Sequence, residues 1–165
     1  ADPAVYAVGD VLGPSRIMLA HAAAAEAQVA ADNALGADRR MDYRAVPGAI
    51  FTSPEVATVG LTEIQAKAGG HAVRSDEVLF RTLGKAQVMG ALAGQAKLVS
   101  DSGTGRILGV HIIGPHATEL IAEGTLAVNK GLTVEDLVGT IHAHPTLAEI
   151  MSETAMKAAD RPLHG

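Results

Sequence analysis

The chain has 165 residues, enough for one or two small domains with a core. Its residues are 48% hydrophobic but only 2% aromatic, and its formal charge is −5 with no basic cluster, which leaves no aromatic platform for single strands and argues against any nucleic acid partner. There are no cysteines, so disulfides, thiolate zinc sites and cysteine nucleophiles are excluded within the chain. No apolar run approaches the ~20 residues that span a bilayer.

The start "ADPAVYAVGD" has no secretory leader pattern, so the expected compartment is cytoplasmic. It also lacks an initiator Met, and the expectation is that the chain begins inside a larger one. "AVYAVGD", Ala4 to Asp10, reads as a buried strand running into a Gly-Asp loop. An Ala-rich stretch without internal Gly or Pro predicts a helix over about Met18–Leu35, stopped by Gly36. Its small side chains would let another element approach closely. Residues 37–47, polar and ending in Pro-Gly, read as a linker.

After it the pattern changes. "AIFTS" and "EVATVG" read as strands on either side of Pro54. "LTEIQAKAGG" predicts a helix with Thr62 as N-cap and Gly69-Gly70 at its end. "HAVRSDEVLF" alternates like a strand, and "QAKLVSD" and "RILGVHIIG" read as two strands joined by a Gly-rich hairpin. Three helices follow: "ATELIAEGTLAVNK", closed by Gly131; "TVEDLVGT", with Thr133 as N-cap and Asp136 completing a box; and "TLAEIMSETAMKAAD", with Thr146 as its cap and Leu147, Ile150, Met151, Ala155 and Ala158 on its apolar side. Consecutive strands before a run of helices imply an α+β fold, an antiparallel sheet with helices packed on one face, here in residues 48–165. Residues 1–36 are a strand-helix remnant too small to fold alone.

The stretch "HAHPTLAE" is the candidate for chemistry. Pro145 biases His144 toward an extended backbone, and Glu149, in the first turn of the following helix, can fold back to one ring nitrogen of His144. A carboxylate so placed fixes the tautomer and stabilises the imidazolium, leaving the other nitrogen as general acid or base. The residues alone leave a second reading open: Glu149 favours the helix dipole and His144 is a loop residue. His142, two positions earlier, is expected to point the other way as a structural or interface-lining residue. His21, His71, His111, His116 and His164 have no metal-ligand spacing, so no metal site is assigned.

"IHAHPTLAE" resembles the C-terminal signature of the dihydrolipoamide dehydrogenases, within the pyridine nucleotide-disulfide oxidoreductase family. "PGAIFTSPEVATVGLTEIQAKAGG", "GQAKLVSDSGTGRILGVHIIGPHATELIAEGTLAV" and "GLTVEDLVGTIHAHPTLAEIMSETA" resemble the start, middle and end of that family's interface domain, and "VYAVGDV…MLAHAAAAEAQVAADNALG" resembles the last flavin-binding segment before it. The resemblance implies a C-terminal remnant of an FAD domain in residues 1–36 and an interface, or dimerisation, domain in 48–165. It implies that His144 is the acid/base toward a redox thiol pair and dihydrolipoamide, oriented by Glu149, and that both act across a homodimer. It further implies that Asp10 meets the ribityl and phosphate part of FAD and that Leu19, Ala20 and His21 run past the flavin ring.

The chain departs from that family in carrying no G-x-G-x-x-G strand–turn–helix, no pair of cysteines and no second dinucleotide fold for NAD. The expectation is therefore the C-terminal fragment of an FAD- and NAD-linked enzyme, a domain cut from a longer chain or a truncated product. It would be inactive alone and would bind no cofactor by itself. A glutathione reductase-like parent is the alternative within the family. A non-catalytic homodimerisation module is the alternative outside it.

Overall fold

The computed structural model describes residues 5–14 and 17–164. The chain divides into two units, Ala1–Val46 and Pro47–Gly165.

In the first unit a short 3-10 turn, Gly9–Leu12, packs on helix α1, Ala20–Ala34. The small residues of α1 permit this: a Cβ on Gly9 would lie 3.2 Å from that of Ala23. Glu26, buried in the middle of the Ala run, ties the unit together. Its Oε2 accepts from the Gly9 N–H at 2.6 Å and its Oε1 from the Tyr43 hydroxyl at 2.8 Å. Residues 37–46 are fastened to this unit through Tyr43 and through Asn33, which exchanges bonds of 2.8 and 2.9 Å with the backbone of Arg39. The strand expected over Ala4 to Asp10 is not formed: Val5–Val8 are irregular and exposed, and Gly9 begins the 3-10 turn. A strand needs a neighbour to take its backbone bonds, and none of the described residues pairs with Val5–Val8; Ala4 lies outside the described residues.

The second unit is a five-stranded, wholly antiparallel sheet of β1 (Gly48–Ile50), β2 (Glu55–Gly60), β3 (Val73–Leu79), β4 (Gln95–Asp101) and β5 (Ile107–Gly114), in the order β1-β2-β5-β4-β3. The strand expected from "AIFTS" is shorter than its apolar run, because β1 is an edge strand and the chain leaves it at Phe51 for the turn at Pro54. Asp101 closes the β4–β5 hairpin by accepting from Gly103 N, Thr104 N and Thr104 Oγ1.

Two long helices share one face. Helix α4, Ala117–Lys130, packs on β2 and β5, and helix α6, Glu149–Ala158, on β3 and β4. Between them and the sheet lie Ala57, Val59, Val78, Ala96, Leu98, Val110 and Ile112, alternate residues of their strands that point the same way. Arg74, on the same side, donates to the Lys157 carbonyl and to Asp160 at the end of α6. Helix α2, Glu63–Ala68, covers a corner of the opposite face, where Ala66 packs on Val99 and Leu108. A 3-10 turn at Phe80–Thr82 and helix α3, Gly84–Met89, have no counterpart in the sequence pattern; Phe80 leaves the end of β3 to become fully buried.

Candidate acid/base site

Helix α5, Val134–Val138, starts in a capping box. Thr133 Oγ1 accepts from Asp136 N, and Asp136 Oδ2 accepts from Thr133 N at 2.7 Å and from its hydroxyl. These bonds, the backbone one foremost, hold the Asp136 carboxyl below its ordinary value. Thr140 ends the element by donating its hydroxyl to the Asp136 carbonyl at 2.8 Å. The chain then crosses from α5 to α6 in a loop that carries His142 and His144, and the His144–Pro145 peptide is cis.

His144 and Glu149 meet as the spacing predicts. His144 Nδ1 lies 2.8 Å from Glu149 Oε1. An ionised carboxylate only accepts, so Nδ1 carries the proton of this bond and Nε2 is left as the basic nitrogen. The other carboxylate oxygen, Oε2, accepts from the Thr146 N–H at 2.9 Å. Burial alone would raise the Glu149 carboxyl; the Thr146 N–H, then the bond and charge of His144, outweigh it and hold the carboxyl below its ordinary value. The His144 side chain is 76% exposed while Glu149 is 21% exposed. A half-sheltered carboxylate thus presents an open ring, and among the described residues Nε2 has no hydrogen-bond partner.

Thr146 does not cap α6 with its hydroxyl as expected. The regular helix begins at Glu149 without a side-chain cap, and Oγ1 instead donates to the Ala143 carbonyl at 2.7 Å. One turn along α6, buried Glu153 accepts from the backbone N–H of His164 and meets its Nδ1 at 2.7 Å. Hydrogen bonding to Glu153 raises the His164 imidazole above its ordinary value.

His142 turns inward, with a side chain only 7% exposed. Its Nδ1 is 3.0 Å from the Thr140 carbonyl and its Nε2 is 2.8 Å from Oε1 of Glu123 on α4. Sequence reasoning missed Glu123; its one signal is a carboxylate set inside the apolar stretch "LIAEGTLAV". Glu26 was missed in the same way, as a lone charge in an Ala run. No group of three or more His, Asp or Glu placed to hold a metal ion occurs among the described residues, and none of their helices is long and apolar enough to cross a membrane.

In the first unit, Asp10 is exposed in the 3-10 turn, Leu19 is the extended residue before α1, and Ala20 and His21 are exposed in its first turn. Glu26 holds Gly9, and so the Gly-Asp turn, against α1. An exposed carboxylate, which accepts hydrogen bonds, suits the hydroxyls of a ribityl chain. These residues fit one side of a flavin nucleotide without enclosing it.

The family model of the pyridine nucleotide-disulphide oxidoreductase dimerisation domain matches residues 46–155. Among curated relatives, the dihydrolipoyl dehydrogenase of Chlamydia muridarum is 47% identical over 98% of this chain and 34% of its own length. That of Thermus scotoductus is 45% identical with the same coverage, and that of Bacillus subtilis is 44% identical over 97% of this chain and 34% of its own. The chain thus spans about a third of the length of the relatives it matches. Among solved structures, LpdA from Mycobacterium tuberculosis superposes with a TM-score of 0.85 at 32% identity, over 93% of this chain and 33% of that one. The HOCl-induced flavoprotein disulfide reductase RclA from Escherichia coli gives 0.83 at 26%, over 91% and 34%. The chain belongs to the pyridine nucleotide-disulphide oxidoreductase family, as its dimerisation domain with a short segment before it.

Proposed function

We propose that this chain supplies the dimer-forming part and the acid/base pair of a dihydrolipoyl dehydrogenase, which oxidises dihydrolipoamide with NAD+ to lipoamide, NADH and a proton. The observation that carries the reading is the 2.8 Å bond between His144 and Glu149 beneath an open ring. The likeness to dihydrolipoyl dehydrogenases along nearly the whole chain supports the choice of reaction.

In this reading His144 acts across the homodimer. Its Nε2 takes a proton from a thiol of dihydrolipoamide, which leaves a thiolate competent to attack a disulfide. Glu149 keeps Nδ1 protonated and stabilises the imidazolium that forms, so the charge created at the ring is met where it appears. The openness of the ring is what such a role needs, since the thiol must reach Nε2 from outside this chain. FAD, when bound, supplies a two-electron acceptor between the thiol pair and NAD. Asp10 would hold its ribityl and phosphate part, with Leu19, Ala20 and His21 along the ring.

The test is His144→Gln in the flavin-loaded full-length enzyme. General acid–base catalysis contributes about 10²–10⁴-fold, so dihydrolipoamide turnover falls by about that factor while the flavin absorbance stays. Unchanged turnover rejects the reading.

A further inference from the structure

His144 owes its direction to few things. Its ring is mostly exposed, so it is aimed by the Glu149 bond and by the backbone of the loop that carries it. That backbone is tied on both sides of the ring. After it, Thr146 is held by Glu149 and reaches back to the Ala143 carbonyl. Before it, the buried His142 ring is tied to α4: Glu123, a carboxylate that only accepts, accepts from Nε2 at 2.8 Å. Glu123 has little freedom to follow the loop, because its neighbour Gly124 lies directly against Val110 of β5. A histidine serving only to fill space would not need a carboxylate from another helix at its Nε2. The bonds lead from α4 through His142 and Ala143 to Thr146, Glu149 and finally His144.

We propose that Glu123 and His142 form a brace that anchors the catalytic loop to α4, with His142 as the positioning residue for His144. The inference rests on the acid/base reading of His144. Misplacement of a reacting group by about 1 Å costs on the order of a hundredfold in rate, and a loop freed from α4 can move its exposed ring that far.

The test is made in the flavin-loaded full-length enzyme, with kcat and KM for dihydrolipoamide. Glu123→Ala and His142→Ala each lower kcat by about tenfold to a hundredfold, with KM and flavin absorbance unchanged. Glu123→Gln, whose amide oxygen still accepts from Nε2, retains most of kcat. The Glu123→Ala/His142→Ala double variant is no worse than the weaker single, since both remove one brace. In a His144→Gln background, Glu123→Ala has no further effect. If Glu123→Ala leaves kcat intact while His144→Gln cripples the enzyme, the brace is wrong and the acid/base reading stands. If Glu123→Ala costs the same factor in the His144→Gln background, it acts elsewhere and the brace is again wrong. If His144→Gln leaves turnover unchanged, both fall together. Should His142→Ala fail to fold, the two Glu123 variants decide the question.

Discussion

Gly124 of α4 rests on Val110 of β5 with no space for a side chain between them: a Cβ on Gly124 would stand 2.9 Å from the Cβ of Val110 and 3.0 Å from its Cγ2. Val110 cannot retreat, since it is buried in the sheet between its register partners Val59 and Leu98. Gly124→Ala therefore sets two effects against each other. Helix propensity favours Ala by about 1 kcal/mol, and over-packing a close-packed core costs about 1–3 kcal/mol. We expect a net loss on the order of 1 kcal/mol in urea unfolding, partly relieved when Val110→Ala is added. A Gly124→Ala chain more stable than the parent would show that α4 can lift off the sheet at little cost.

Glu63 joins α2 to the sheet face opposite α4. Its carboxylate is shared by Lys67 Nζ at 2.6 Å, Lys97 Nζ at 2.8 Å and the Ser75 hydroxyl at 2.9 Å. The bonds to Lys67, then Lys97 and Ser75, lower its pKa from 4.5 to about 2. A depressed folded value stabilises the fold above the ordinary value, and that stabilisation is lost as the pH falls through the folded value. The difference in melting temperature between the parent chain and Glu63→Gln should be full at neutral pH and should close between about 4.5 and about 2. A difference that stays constant across this window would mean that the network does not stabilise the fold through the charge of Glu63.

What the sequence makes legible here is local. Thr133 and Asp136 are three apart, Gly131 follows an apolar helix, and Glu149 lies five past His144; in each case one turn of backbone decides whether the groups meet, and the structure has each. The partners of His142 and Lys97 lie 19 and 34 residues away in sequence, and no short pattern shows that α4 or α2 will bring them together. The apolar run at Val5–Val8 misleads for the same reason: alternation and hydrophobicity describe one strand, while a sheet needs two. Phe80 reads as the last residue of a strand and Arg81–Met89 as no element, because the two short helical pieces there fall below the length at which a period can be read.

The tail is held by a pair with the opposite pH sense. His164 bonds to Glu153 through both its ring and its backbone, and its imidazole is raised above 6.5 by that bond and charge, with a smaller contribution from Glu149. A raised folded value means that the contribution is complete below 6.5 and lost as the pH rises through the folded value. Amide relaxation of residues 162–164 should therefore show the tail ordered in mild acid and increasingly mobile on the alkaline side. His164→Ala should be mobile throughout. A parent tail equally ordered at both extremes would show that the backbone bond to Glu153 suffices.

Glu149 serves two partners, and substitutions can separate them. Glu149→Ala removes the acceptor of the Thr146 N–H and the orienting bond of His144 together, so it should cost about 1–2 kcal/mol in stability as well as turnover. Glu149→Gln keeps an amide oxygen, which can still accept from the Thr146 N–H and so hold the loop against α6, but it presents no charge to an imidazolium at His144. The Gln variant should thus recover most of the stability in thermal unfolding while its turnover, measured in the flavin-loaded full-length enzyme, stays low. If Gln restored both, the carboxylate would be a strut for the loop rather than a counter-charge for the ring. If it restored neither, the Thr146 bond would need the full charge of Glu149.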